Sequence, residues 1–270
     1  MLDFSSGGPA PREPVFSIPF AAAALVAALL LIHAVLNFAS PMMQTAAMLD
    51  FGFIPGRETL ALWPGRLAAL IAQSDSDPTA LAAARLWRAT TALHPGLRPW
   101  SFFSYAFLHG SWTHVGLNCV WLTAFGPPLA RRFGTLRYFG FFLATSACGA
   151  LLHWAAAPME FTPVIGASAA ASGFMAGAAR FMFQPGEALG RGPRRIAPER
   201  AASLYEVFTD RRALIFVGVW LATNVLFGAG AQTLGLSDQP VAWIAHIGGF
   251  VGGLALFPLF DGWGFGRGRG

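Results

Sequence analysis

The sequence predicts an all-α, polytopic membrane protein with six transmembrane helices. Of its 270 residues, 55% are hydrophobic and only 11% are charged, and the mean hydropathy is +0.53. Soluble domains carry about 25% charged residues. Six apolar windows approach the ~20 residues that a helix needs to cross a bilayer; these are residues 17–38, 111–130, 136–156, 165–183, 213–231 and 241–260.

The first window is expected to stay in the mature protein. It is longer than the apolar core of a signal peptide, and Asp3 and Glu13 precede it instead of a basic leader. Residues 1–16 are therefore expected to form a short cytoplasmic tail. Residues 17–260 are predicted to form a single membrane domain, and residues 261–270 a second cytoplasmic tail.

The distribution of arginine predicts the orientation of the helices. All eighteen basic residues are arginine, and most follow the second and fourth windows or close the chain. The connections 157–164 and 232–240 contain none. This alternation follows the positive-inside rule and places both termini in the cytoplasm. The basic balance is thus explained by topology, and no nucleic-acid partner is expected. The absence of lysine and the abundance of alanine, glycine and arginine indicate a GC-rich bacterial genome. With the apolar windows, the expected location is a bacterial inner (plasma) membrane.

Two longer connections separate the predicted helices. Residues 41–100 form an outer loop with two amphipathic patches, around 60–72 and 81–93, and tryptophans spaced between them. Since tryptophan favours the headgroup level, the loop lies either half within the outer interface or above it as a small cap. Residues 184–212 are rich in glycine, proline and arginine and are expected to form a cytoplasmic linker.

Polar side chains on three predicted helices fall at one depth. Ser111 can cap the second helix, which places His114 and Asn118 in its first turns. Ser168 lies about one turn into the fourth helix, and His246 about one turn into the sixth. At ~1.5 Å per residue, all these groups lie about 5–7 Å below the outer boundary. Polar groups in hydrocarbon are costly without partners, so they are functional candidates.

Small residues predict that the fourth and sixth helices pack closely. Glycines follow both polar residues: Gly173 and Gly177 in the fourth helix, Gly249 and Gly253 in the sixth. Such residues let helix backbones approach each other in lipid. We therefore predict that the Ser168 hydroxyl comes within hydrogen-bond reach of the His246 ring.

A serine and a histidine in contact predict nucleophilic acyl transfer. Ser168 would be the nucleophile, and His246 the general base that takes its proton and returns it to the leaving amine. The second, fourth, fifth and sixth windows contain no Asp or Glu, which favours a dyad over a triad. The side chains of His114 and Asn118, with the backbone N–H of Ser168, would stabilise the tetrahedral oxyanion.

The same residues also have structural interpretations. A lone serine in a membrane helix usually bonds to its own backbone, and Asn118 alone would join helices. Ser172 competes as nucleophile but lies one turn deeper. His109 is expected to brace the turn into the second helix, and His33 and His153 to be incidental. No metal site and no cofactor are expected, because no carboxylate or thiol accompanies the histidines at ligand spacing.

Three stretches together resemble the rhomboid family of intramembrane serine proteases. Residues 107–118 contain His-x-x-x-Asn, residues 166–173 open the fourth helix with Gly-x-Ser, and residues 245–253 contain His-x-x-Gly-x-x-x-Gly. All three occur in order on the expected helices, so the resemblance covers about residues 100–260. Each motif alone would be a weak signal.

This resemblance implies a bacterial-type six-helix bundle with a short central fourth helix and a cavity that opens outward. Ser168 and His246 would be the catalytic dyad, with His114 and Asn118 in the oxyanion hole. Residues 41–100 would be a membrane-embedded first loop. The expected substrates are single-span membrane proteins, cut in or near the bilayer.

Three positions depart from the family pattern. Ala169 stands where glycine usually follows the serine, which predicts a narrower oxyanion site. Ala130 replaces a glutamate that commonly anchors the first loop. Ser172 occupies the position of an aromatic that often stacks on the catalytic histidine, so the orientation of His246 is left unexplained by the family pattern.

Two other functions compete with proteolysis. An inactive rhomboid-like protein would bind transmembrane segments without cutting them, and the presence of both Ser168 and His246 argues against it. A transporter or channel would use the polar groups as a pathway. Intramembrane carboxylates and paired inverted halves are typical of such proteins, and the predicted helices have neither.

Overall fold

A computed structural model of the chain describes residues 18–67, 96–183, 201–230 and 242–261, together with five isolated residues between 72 and 85. Within these ranges the fold is helical, which confirms the predicted all-α class. The exception is one antiparallel bridge between Phe53 and Val164. Most of residues 68–95 in the 41–100 loop and residues 184–200 of the linker lie outside the described residues. So do the first predicted tail, 1–16, and the second predicted tail except for Asp261.

The described helices follow the predicted windows. They are α1 (Phe20–Asn37), α2 (Pro41–Phe51), α3 (Pro55–Leu62), α4 (Ser101–Ser104), α5 (Trp112–Phe133), α6 (Thr135–Ala156), α7 (Ser168–Ala179), α8 (Leu204–Thr209), α9 (Arg211–Gly230) and α10 (Trp243–Phe260). A 3-10 turn, Tyr105–Phe107, joins α4 to the segment before α5. Among the described residues, α1, α6 and α10 are long and apolar enough to cross a membrane. A count of six spans stays a prediction.

Helix α7 is shorter than its predicted window, 165–183. It has 12 residues, or ~18 Å at ~1.5 Å per residue, which is less than a bilayer core. It begins two residues after Gly166, whose φ of +113° is not helical. At its other end the Arg180 guanidinium turns to the carbonyls of Ala202 and Leu254, each 2.7 Å away. The predicted ends of this helix were therefore wrong, because hydropathy does not detect backbone that leaves the helix.

Helix α7 lies in the centre of the bundle. Every residue from Ala169 to Ala179 is buried, and α5, α6 and α10 pack around it. Only small side chains allow this arrangement on so many sides at once. The alanines and glycines of α7 are thus explained by packing.

Helices α7 and α10 meet backbone to backbone. A Cβ placed on Gly249 would lie 2.0 Å from the Ala169 carbonyl oxygen, and one on Gly253 would lie 2.3 Å from the Gly173 oxygen. The contact runs over two turns, as the glycine spacing predicts. Gly177 is different, because a Cβ there would meet Phe141 and Leu129 at 3.1 and 3.2 Å, not α10.

An ion pair closes the end of the bundle opposite Ser168. Arg132 at the end of α5 donates to both carboxylate oxygens of Asp261 after α10, at 3.0 and 2.8 Å. The Arg132 guanidinium also lies over the rings of Phe181 and Phe257. One of the arginines after the second window therefore joins the end of α5 to the end of α10.

Residues 201–212, the end of the predicted linker, contain a short helix. Ser203 and Glu206 form a reciprocal capping box that starts α8. Ala202 donates its N–H to the Arg180 oxygen at 2.6 Å, and Val207 is buried against the end of α7 and α9. The composition of the whole stretch did not reveal this helix, because glycine, proline and arginine dominate it.

A buried ion pair holds the first loop together at the Ser168 end. Arg57 and Glu58 are fully buried, and their side chains pair at 2.9 Å. Arg57 also donates to the carbonyls of Leu49 and Gly52. Glu58 accepts from the Arg98 N–H at 2.9 Å and from the Ser101 hydroxyl at 3.3 Å. Neighbouring residues of the loop therefore supply the anchor that Ala130 cannot.

Substitution of Gly253 by alanine should destabilise the bundle. The new methyl group would overlap the Gly173 backbone, and overpacking of this kind costs about 1–3 kcal/mol, more than the gain in helix propensity of about 1 kcal/mol. Thermal unfolding in detergent micelles measures the effect. Gly218→Ala on α9 is the matched control, because nothing lies within 4 Å of its Cβ position. Equal melting temperatures for both variants would contradict the backbone contact.

Candidate active site

The structure brings the predicted polar residues to one end of the bundle. Ser168 is the first residue of α7, and His246 lies one turn into α10, which begins at Trp243. His114 and Asn118 lie in the first two turns of α5, and the Ser111 side chain caps that helix by accepting from the His114 N–H at 3.1 Å. Ser168 is thus at the helix start itself, not one turn inside it as predicted.

The segment that leads into Ser168 is fixed by the first loop. Phe53 and Val164 exchange two backbone hydrogen bonds, at 3.1 and 2.8 Å. Two residues later, the Gly166 N–H donates to the Tyr105 carbonyl at 3.0 Å. The Tyr105 hydroxyl in turn donates to the Ser146 carbonyl of α6 at 2.8 Å. The position of Ser168 therefore depends on contacts with the loop and with α6.

Gly166 makes room for the two residues of α5. Its φ of +113° is a conformation that side chains rarely adopt. A Cβ there would lie 2.6 Å from His114 Nε2 and 3.7 Å from Asn118 Nδ2. The amide of Asn118 donates one N–H to the His114 carbonyl at 3.0 Å. Both predicted oxyanion residues therefore face the peptide that precedes the candidate nucleophile.

His109 has a larger role than the predicted brace of a turn. Its Nε2 accepts the Ala167 N–H at 3.3 Å, and its ring meets that of His114 edge to face at 5.0 Å. Burial, together with His114 and His33, lowers the pKa of His109 to about 3, so the ring is neutral and can act as an acceptor. His109 therefore helps to hold the backbone just before Ser168.

His33 and His153 were predicted to be incidental, and this prediction was wrong, because each has a polar partner outside its own helix. His33 Nδ1 donates to the His109 carbonyl at 3.1 Å, which joins α1 to the site. His153 Nε2 lies 3.0 Å from a carboxylate oxygen of Glu160, which joins the end of α6 to the following connection. Spacing along one helix could not reveal either contact.

Ser168 and His246 lie on helices in direct contact. A Cβ on Gly149 of α6 would lie 2.6 Å from the Ala169 methyl carbon and 2.8 Å from the Ala245 oxygen. The sequence neighbours of Ser168 and His246 therefore meet at one point, and both candidate side chains are half-buried. The hydrogen bonds of the described residues include none between Ser168 and His246, so that contact stays a prediction.

Sequence reasoning missed one polar partner of His246. Asn224 of α9 is buried, and its Oδ1 lies 2.7 Å from His246 Nδ1. Its amide nitrogen donates to the Trp243 carbonyl at 3.3 Å. The sequence does contain an indication of this partner, because Asn224 is an amide inside an otherwise apolar window. An argument based on buried carboxylates does not detect it.

Ser172 is buried one turn below Ser168. Ser168 is half-buried and therefore more accessible than Ser172 as a candidate nucleophile. No group of histidine, cysteine and carboxylate side chains that could hold a metal occurs among the described residues.

Comparison with models of known protein families identifies the family of this chain. The Rhomboid domain model matches residues 97–261, which span α4 to α10 and every candidate site residue. The chain belongs to the rhomboid family. This confirms the resemblance drawn from the three motifs and, with the apolar helices, indicates a multi-pass membrane protein. The comparison with curated proteins finds no match.

The structure explains how this rhomboid chain accommodates Ala169. The Ala169 methyl group points toward Gly149 of α6, where no side chain competes for the space. Its carbonyl meets Gly249 of α10. The extra carbon therefore lies at the contact between α7 and α6. The narrower oxyanion site stays a prediction.

Substitution of Gly166 by alanine should destabilise the loop before α7. The positive φ and the overlap with the His114 ring together cost about 1–3 kcal/mol. Thermal unfolding of the detergent-purified protein measures the loss. Gly110→Ala is the control in the same region, because Gly110 does not have a positive φ and its Cβ position lies 3.7 Å from the nearest atom. A melting temperature unchanged from wild type in the Gly166 variant would refute this account.

Proposed function

We propose that this rhomboid protein is an intramembrane serine protease. The observation that carries the proposal is the convergence of Ser168, His114 and Asn118 around the Gly166 peptide, beside a helix that carries His246. In this proposal, six helices cross a bacterial inner membrane with both termini in the cytoplasm. The Ser168 end of the bundle then faces outward.

Ser168 acts as the nucleophile. It stands at the N-terminus of α7, where unpaired backbone N–H groups and the helix dipole favour developing negative charge. His246 Nε2 takes the hydroxyl proton as the oxygen attacks the substrate carbonyl. Collapse of the tetrahedral intermediate breaks the C–N bond, and His246 returns the proton to the leaving amine. Water then repeats the sequence and releases the acid.

His114 and Asn118 act as oxyanion donors. One N–H of the Asn118 amide is used within α5, which leaves the second for a substrate oxygen. His114 Nε2 lies against the Gly166 peptide, next to the nucleophile. Donors held in place before the reaction stabilise the transition state without reorganisation.

The substrates are single-span membrane proteins. The site lies at one end of a bundle of apolar helices, where an extended segment leaving the bilayer can reach Ser168. The Ser168 residue itself is only half-buried, so a substrate backbone can approach it from this end of the bundle.

Ser168→Ala and His246→Ala should each abolish cleavage of a co-reconstituted single-span reporter. Each change removes a group that the chemistry requires, so activity should fall at least ~10³-fold. Ser172→Ala is the matched control and should stay active. Covalent labelling by a fluorophosphonate probe provides a second measurement, because only an activated serine reacts. Cleavage by the Ser168→Ala protein would eliminate the proposal. Absence of labelling in wild type would favour the inactive, segment-binding alternative.

Asn118→Ala should lower kcat about 10²- to 10³-fold with little change in KM, since an oxyanion donor acts mainly in the transition state. Steady-state kinetics on the same reporter measure both constants. Thr113→Ala removes an exposed polar group from the same helix and should leave both constants unchanged. A rise in KM alone would show that Asn118 binds substrate and does not stabilise the oxyanion.

A further inference from the structure

The His246 ring is held by a side chain from a third helix. Asn224 lies on α9, and its Oδ1 is 2.7 Å from His246 Nδ1. The Asn224 side chain is 7% exposed, so this contact is largely shielded from competing water. Among the described residues, Asn224 is the hydrogen-bond partner of the His246 ring.

The second contact of Asn224 fixes the direction of its amide. A backbone carbonyl can only accept a hydrogen bond, so the amide nitrogen of Asn224 must face the Trp243 oxygen, 3.3 Å away. The amide oxygen then faces His246. Because an amide oxygen can only accept, Nδ1 of His246 must carry a proton.

The tautomer of His246 follows from this contact. A neutral imidazole with its proton on Nδ1 has a free lone pair on Nε2. Nε2 is the nitrogen that can then accept a proton from a serine hydroxyl. Without the Asn224 oxygen, either nitrogen could carry the proton, and the ring could rotate.

We propose that Asn224 is a positioning residue that holds His246 in the tautomer and orientation required of the general base. This inference rests on the proposed function. It completes a serine, histidine and asparagine arrangement across α7, α10 and α9, where the sequence predicted a dyad. An asparagine orients the catalytic histidine of papain-like proteases in the same chemical sense.

The arrangement also accounts for Ser172. An aromatic at this position would stack on the histidine ring, as the family resemblance implies, and serine cannot. Here Asn224 of α9 holds the His246 ring by a hydrogen bond at its edge. This bond replaces the stacking of an aromatic on the face of the ring. The ring therefore has a defined orientation without an aromatic neighbour on α7.

The tautomer itself is the most direct test. We would label the histidines of the Ser168→Ala protein with ¹⁵N, purify it in detergent micelles and record long-range ¹H–¹⁵N correlations. The His246 signals are assigned by their loss in a His246→Ala sample. In this protein, which retains Asn224, the His246 ring should be neutral and protonated on Nδ1. A ring protonated on Nε2 would overturn the inference, and this result requires no protease activity.

Two variants with the branching and the number of side-chain heavy atoms of asparagine separate hydrogen bonding from packing. Asn224→Asp keeps an acceptor for Nδ1–H, whereas Asn224→Leu removes it. The Leu variant should give mixed tautomers and react with a fluorophosphonate about 10- to 100-fold more slowly than wild type, because a general base contributes rate by this order or more. The loss should appear in the maximal labelling rate and not in the half-saturating probe concentration. The Asp variant should keep the Nδ1 tautomer and label faster than the Leu variant.

The control is Thr223→Val on the same helix, because the Thr223 hydroxyl donates only to its own helix at Val219, 2.8 Å away. It should label like wild type. A Leu variant that labels at the wild-type rate would overturn the role of Asn224 while leaving the protease proposal intact. If wild-type protein itself fails to label, the protease proposal fails, and the tautomer measurement still decides whether Asn224 sets the state of the ring.

Discussion

Backbone contact between α7 and α10 is the constraint on which the rest of this structure depends. Gly249 and Gly253 of α10 lie against the carbonyls of Ala169 and Gly173, with no space for a side chain between them. In lipid, the hydrophobic effect gives two apolar helices little reason to associate, so close van der Waals contact must supply the attraction. The same contact brings the turns that carry Ser168 and His246 side by side. Packing and the candidate chemistry are therefore determined by the same few glycines.

A second requirement is that the start of α7 stays fixed although the helix is too short to be held by the bilayer alone. The first loop meets this requirement through polar contacts. The buried Arg57–Glu58 pair organises the loop. The Phe53–Val164 bridge then joins the loop to the segment before Ser168. His109 adds a further contact at Ala167. Charged groups that would be costly when buried alone thus have polar partners within this loop.

Much of this could be predicted from the order of residues. Hydropathy located a helix in each of the six windows, because a run of about 20 apolar residues has few other stable states at a membrane. Motif spacing placed Ser168, His246, His114 and Asn118 at one end of the bundle, because residues in the first turns of helices that start at one end share a depth. Glycine spacing predicted that α7 and α10 touch. These are local properties, and each needs only one segment of chain.

Contacts between distant segments were decided by the tertiary structure alone. The ends of α7 depend on Gly166 and on an Arg180 side chain that reaches two other parts of the chain. His33 contacts His109, 76 positions away, and His153 contacts Glu160, which lies beyond the end of its helix. Asn224 reaches His246 across 22 positions of sequence, and nothing in either helix alone specifies that distance. The sequence determined which residues are polar and near which helix starts they lie. Only packing in three dimensions decided which of them meet. A hydrogen bond depends on the distance between two side chains, and the sequence of either segment alone does not specify that distance.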